Sequence, residues 1–241
     1  QLSLFKNALE EFDLAIKFNP KNSNIYRKKG LVLFGMKQYN DAKNNFEKSI
    51  NLNPQDTQAH INLGMVHYTS GNKKEALNNW QKAIGLKNDD NDGKALNNIA
   101  NIYKSEKNFE KAIEYYKKAI TFEPGNTTFL NNLGDSYRLA GNFEEAESTL
   151  LKSLEINSNG MLTQFNLGVL YKIKGNISKA IESFQNSLQV NPHYLEAYYQ
   201  LAITHLKSKN KDSAKLSLEK ALQVDPSNEK FRKLYDQVTA S

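Results

Sequence analysis

Apolar residues fall on a helical period, and the pattern itself repeats. Between Gln58 and Thr69, Ala59, Leu63, Val66 and His67 recur at helical spacing. After Ser70-Gly71-Asn72, the segment Lys73 to Gly85 places Ala76, Leu77, Trp80, Ala83 and Ile84 on one face. This predicts a helix, a tight turn and a second helix. Seven alanines carry the register along the chain: Ala8, Ala42, Ala76, Ala112, Ala146, Ala180 and Ala214, at steps of 34, 34, 36, 34, 34 and 34 residues. A fixed period of this length marks stacked units, each too small to bury its own apolar side.

Other positions keep the same beat. Gly30, Gly64, Ala100, Gly134, Gly168 and Ala202 supply a small residue in each first helix. A helix-interior glycine costs up to about 1 kcal/mol against alanine, so its recurrence needs a packing reason; the pattern predicts that two helix backbones approach closely there. Large residues alternate with the small ones, as in Tyr103, Phe109 and Tyr116, or Tyr171, Ile177 and Phe184. Gly71, Gly141 and Gly175 suit a left-handed turn between the paired helices, where Lys37, Lys107 and Lys209 stand in other repeats under expected strain. All five prolines, Pro20, Pro54, Pro124, Pro192 and Pro226, follow a second helix, which proline cannot continue.

The helix-turn-helix period of 34 residues, the Leu-Gly or Ile-Ala pair, the Ala-x3-aromatic-x2-Ala run and the closing Asn-Pro or Asp-Pro together resemble the tetratricopeptide repeat (TPR) family over nearly the whole chain. Lys29 departs from the Leu or Ile at 63, 99, 133, 167 and 201, and Ser158 replaces the proline. The resemblance implies an all-α, right-handed superhelical α-solenoid, with first helices lining a concave groove. The expected single domain has a partial repeat at 1–22, full repeats at 23–56, 57–92, 93–126, 127–160, 161–194 and 195–228, and a C-terminal capping helix within 229–241. In that helix Phe231, Leu234, Tyr235 and Val238 face the last repeat.

With 39% hydrophobic and 24% charged residues the composition suits a water-exposed solenoid. No apolar run approaches the length of a membrane span, and no signal peptide is visible. Gln1 falls inside a repeat, so residues before it are expected. The absence of cysteine removes disulfides and thiolate chemistry and fits a cytoplasmic setting. The formal charge of +6 is dispersed, as in Lys73-Lys74 and Lys117-Lys118, and reads as a solvated lysine-rich surface. An RNA-binding reading would need a continuous basic track.

The groove-facing positions carry the candidate chemistry. Asn62, Asn98, Asn132 and Asn166 stand just before the Leu/Ile–small pair in four consecutive repeats; Lys28 begins the row and Gln200 continues it. Asn97, Asn131 and Asn101 add a second row. Asparagine is a modest helix former, and its amide both donates and accepts, so such a row can pair with an extended peptide backbone. The alternative is a set of solvated amides in an asparagine-rich chain. The repeats of O-linked N-acetylglucosamine transferase are similar, with asparagines in the same place, as at Asn131-Asn132-Leu133-Gly134; no glycosyltransferase domain is present in this sequence.

Around this row the groove is expected to show apolar residues early (Leu31, Phe34, Ile61, Met65 and Tyr68) and polar ones in the middle (Lys94, Lys104, Asp135 and Arg138). Leu162, Phe165, Val169, Tyr199, Ile203 and Leu206 form a later apolar zone. Such patches mark partner binding or packing between repeats. The two-carboxylate clamp of chaperone-tail binders is incomplete: Arg27, Asn62 and Lys94 fit, but Leu31 and Asn98 do not.

Catalytic signals are weak. His60, His67 and His205 fall at packed positions, and no third ligand has a sensible spacing for a metal. Glu110, Glu144 and Glu145 begin second helices, where they favour the helix dipole. Asn88, Asp90, Asp92 and Gly93 resemble the opening of a calcium loop, but Ile99 stands where its last carboxylate belongs; a polar inter-repeat loop over 87–93 is the better expectation. The sequence thus predicts a non-enzymatic scaffold with no cofactor and no metal. It binds a protein or peptide in its groove, with possible self-association, and with neither nucleic acid nor membrane as partner. The alternative is the repeat arm of a larger enzyme or secretion assembly.

Overall fold

Tight turns between paired amphipathic helices produce a layered, all-helical chain. The computed structural model describes residues 2–86 and 90–240, apart from the side chains of Leu2, Asp90 and Asn91. Among the described residues there are fourteen helices and no strand. They are α1 (Leu2–Phe18), α2 (Ser23–Gly35), α3 (Tyr39–Leu52), α4 (Thr57–Thr69), α5 (Lys73–Ala83), α6 (Asp90–Ser105) and α7 (Phe109–Phe122). Then follow α8 (Thr127–Ala140), α9 (Phe143–Ile156), α10 (Met161–Ile173), α11 (Ile177–Val190), α12 (Leu195–Lys207), α13 (Lys211–Val224) and α14 (Glu229–Thr239).

The chain divides into two compact units, one ending at Pro124 and one beginning at Gly125. In the first, α2 packs on α3, α4 on α5 and α6 on α7, with α1 against α2. In the second the pairs are α8–α9, α10–α11 and α12–α13, with α14 against α13. Within each unit the first helices of neighbouring pairs touch: α2–α4 and α4–α6, α8–α10 and α10–α12. Among the described residues no second helix packs on another second helix to that extent. First helices therefore form the inner layer of each unit.

The register alanines explain this spacing. Ala42, Ala76, Ala112, Ala146, Ala180 and Ala214 are fully buried, while Ala8 in α1 is partly exposed. The recurring glycines have a different reason from the predicted backbone contact. A Cβ on Gly30, Gly64, Gly134 or Gly168 would stand 2.7, 2.3, 2.6 or 2.6 Å from Phe46, Trp80, Leu150 or Phe184. Each glycine is a notch for one large side chain of the paired helix. Each of these four is buried, and Trp80 Nε1–H also donates to Ile61 O at 3.0 Å.

The ends of the helices are defined locally. Asn22, Asn108, Asn126, Asn176, Asn210 and Asn228 each accept a backbone N–H at a helix start through the side chain. Asp56 does the same for α4. Such caps are worth about 1 kcal/mol each and account for many asparagines by structure alone. At the intra-pair turns the left-handed residue is Gly71, Gly141 or Gly175, and Lys37, Lys107 and Lys209 adopt φ near +60° in its place.

The long step differs from the loop expected over 87–93. Helix α6 already starts at Asp90, and the buried Asp92 accepts the Gly85 N–H at 3.3 Å through Oδ2. Positions 87–89 of the calcium-like segment, with the Asp90 side chain, lie outside the described residues. Among those residues no group of His, Asp or Glu is arranged to hold a metal ion.

Candidate peptide-binding surface

The inner helices place the amide row at different depths. In the first unit Asn62 and Asn97 are buried, Asn98 and Asn101 are half-buried, and Lys94 is exposed. Asn62 Oδ1 accepts from Gln58 Nε2 at 3.1 Å, but its buried Nδ2 has no partner. An unsatisfied buried donor costs about 1–3 kcal/mol. Asn101 accepts from the Tyr116 hydroxyl at 2.5 Å. Arg27, a candidate clamp residue, is held by Asp56 at 3.1 Å and Asn24 at 2.6 Å.

In the second unit Asn131 is buried, and Asn132 and Asn166 are half-buried. Asn166 Nδ2 donates to Asn131 Oδ1 at 3.0 Å, joining α10 to α8. Asn131 and Asn132 also line an open cleft of about 300 Å3 with Thr128, Met161, Leu162 and Thr163. Leu162 there is 49% exposed, and Leu31 in the first unit is 43% exposed.

Several predicted aromatic contacts are already used in packing. Tyr68 lies 6.0 Å from Trp80 between ring centroids, and Phe165 lies 5.7 Å from Phe184 and 5.1 Å from Tyr194. Tyr199 meets Phe231 of α14 at 6.1 Å, with Lys230 Nζ 3.4 Å from its ring centroid. Ile61 is corrected outright: at 4% exposure it belongs to the core around Trp80, Ala95 and Ile99, not to an open groove. Ile61 meets the neighbouring helices instead of solvent, while Met65 and Tyr68 on the same helix keep partial exposure.

Polar chemistry gathers at the C-terminal ends of α8 and α10 and along the first half of α12. Arg138 pairs with Asp135 at 2.6 Å, both side chains being mostly buried. Lys172, which no motif singled out, donates through Nζ to Gln200 Oε1, and Gln200 Nε2 donates to Glu196 Oε1 at 2.8 Å. Burial, then the charges of Lys207 and Arg138, lower the Lys172 pKa against the opposing pull of Glu196. The 34-residue register could have found Lys172, because it puts Lys104, Arg138 and Lys172 at one repeat position.

Of the three histidines expected at packed positions, two are buried and His67 is partly exposed. His60 and His205 are buried, with unpartnered Nδ1 atoms, and His60 Nε2 meets Pro54 O at 3.1 Å. Burial lowers the pKa of His205; burial and then Lys43 lower that of His67.

The inner row of polar side chains on stacked helix pairs defines a repeat scaffold of the interaction type. The chain belongs to the tetratricopeptide repeat family: four models of that repeat match residues 27–91, 93–126, 127–159 and 173–238. No curated protein matches the sequence. Solved structures share the fold. A chain of the APC/C hetero-tetramer Cut9-Hcn1 aligns with TM-score 0.80 and 16% identity over 97% of this chain. This chain spans 46% of that one. PilF of Pseudomonas aeruginosa gives TM-score 0.75 at 18% identity, covering 90% of this chain and 98% of its own. PilW, a type IV pilus biogenesis factor, gives 0.79 at 17%, covering 88% and 97%. Among the described residues no helix is long and apolar enough to cross a membrane.

Proposed function

We propose that the chain is a non-enzymatic scaffold that binds extended peptide segments along the inner helices of each unit. In the first unit the amide of Asn98 grips peptide backbone and Leu31 takes an apolar side chain; in the second, Asn132 and Asn166 grip backbone and Leu162 takes an apolar side chain. The observation that carries this reading is the open cleft of the second unit, where the amides of Asn131 and Asn132 stand with the exposed Leu162. The test is selection of binders from a random 12-residue peptide library. The best is then titrated against the wild type and the variant Asn98→Ala, Asn132→Ala, Asn166→Ala. The expected loss is about tenfold or more with helicity intact; equal affinity for both proteins sinks the amide reading.

A second reading rests on α1. Leu4, Leu14 and Phe18 are 70%, 49% and 82% exposed, leaving an apolar face that a second copy of the chain can cover. Light scattering across a concentration series decides it: a constant monomer mass removes this reading.

A further inference from the structure

We infer that Arg138 and Lys172 form a carboxylate-reading position on the inner layer of the second unit, so that the segment bound there is acidic. This rests on the peptide-binding reading and adds the chemistry of the ligand. Lys172 stands on α10, the helix in contact with both α8 and α12. It is half-buried, yet its hydrogen bond goes to the neutral oxygen of Gln200. Its Nζ makes no ion pair among the described residues. The nearest acidic influence, Glu196, already accepts from Gln200 and lies 3.9 Å from Lys230. Arg138 and Lys207 add like charge around the same ammonium.

A half-buried cation on a neutral acceptor is under-compensated, because burial removes water without returning an opposite charge. An entering carboxylate supplies that charge and a strong charge-assisted hydrogen bond. Arg138 keeps Asp135 through one edge of its guanidinium and has further N–H donors for the ligand. The position lies on the route already described. Arg138 is two helical turns beyond Asn131 and Lys172 two turns beyond Phe165, each on the same helix face. It is distinct from the incomplete clamp at Arg27, Asn62 and Lys94.

The carboxylate can be an Asp or Glu side chain or a free chain end, and two random 12-residue libraries separate these sources. One is displayed internally and the other with a free carboxyl terminus. Enrichment of Asp and Glu in the internal library assigns the side chain; binding confined to the free-end library assigns the terminus. The best peptide is titrated against wild type, Lys172→Gln, Lys172→Arg and, as a charge control on the outer helix α9, Lys152→Gln, each checked for helicity. We expect about tenfold weaker binding to Lys172→Gln, recovery to within about threefold in Lys172→Arg, and no change in Lys152→Gln. Neutralising the peptide's carboxylate should erase the difference between wild type and Lys172→Gln. Peptides without acidic preference, or acidic ones indifferent to Lys172→Gln, overturn this inference and leave the groove reading standing. No binder from either library overturns both.

Discussion

Trp80 sits in the notch left by Gly64: a Cβ on the glycine would lie 2.3 Å from the indole Nε1. Alanine at 64 would raise helix propensity by up to about 1 kcal/mol, yet it must displace a ring with no free volume around it. Gly64→Ala is therefore expected to destabilise the chain by about 1–3 kcal/mol through overpacking. Gly35→Ala is the contrast, since its nearest new contact is Phe5 Cζ at an ordinary 3.8 Å. Urea unfolding of both variants checks this; a stabilised Gly64→Ala would refute the notch.

The strained lysines give the opposite sign. Lys107 holds φ +60°, a conformation in which a side chain crowds the backbone. Lys107→Gly is expected to stabilise by about 0.5–1 kcal/mol, since glycine takes this backbone without strain, as at the matching position Gly141. A raised Tm at unchanged helicity is the outcome to look for.

Asn131 and Asn166 are joined across successive repeats by a bond of 3.0 Å. A double-mutant cycle to alanine is expected to give a coupling of about 0.5–1.5 kcal/mol in stability. Zero coupling would mean that the two amides are independent solvated groups.

Stability should fall in mild acid. The folded pKa values of His205 and His67 lie below the ordinary 6.5. The unfolded chain therefore takes up protons first as pH drops through 6.5, which favours unfolding until the folded pKa values are passed. Above pH 6.5 this contribution is fully present. Tm should decrease between pH 7.5 and 5.5, and His205→Gln should flatten the slope.

The sequence made some of these relationships readable and hid others. Ala112 and Ala146 announce themselves because a position with no free volume tolerates little else. Gly64 is visible as a small residue, but what fills its notch depends on the rotamer of Trp80 in another helix. The start of α6 was hidden because Asp90, Asp92 and Gly93 are poor helix formers; burial of Asp92 against the Gly85 N–H overrides that propensity. The amide row was legible as a helix face. The bond between Asn131 and Asn166 was not, since it depends on how adjacent repeats stack. Ile61 shows the same limit: its face is inward, but the neighbouring core reaches it first.

The asparagine caps have a chemical consequence. Six helices begin on a neutral amide that accepts a backbone N–H. That bond neither titrates nor answers strongly to ionic strength. Among the described helix caps Asp56, at the start of α4, uses a carboxylate, and Arg27 holds it. These six helix starts are thus fixed by groups indifferent to acid and salt, while the carboxylate position proposed at Arg138 and Lys172 is built of charges that answer to ionic strength.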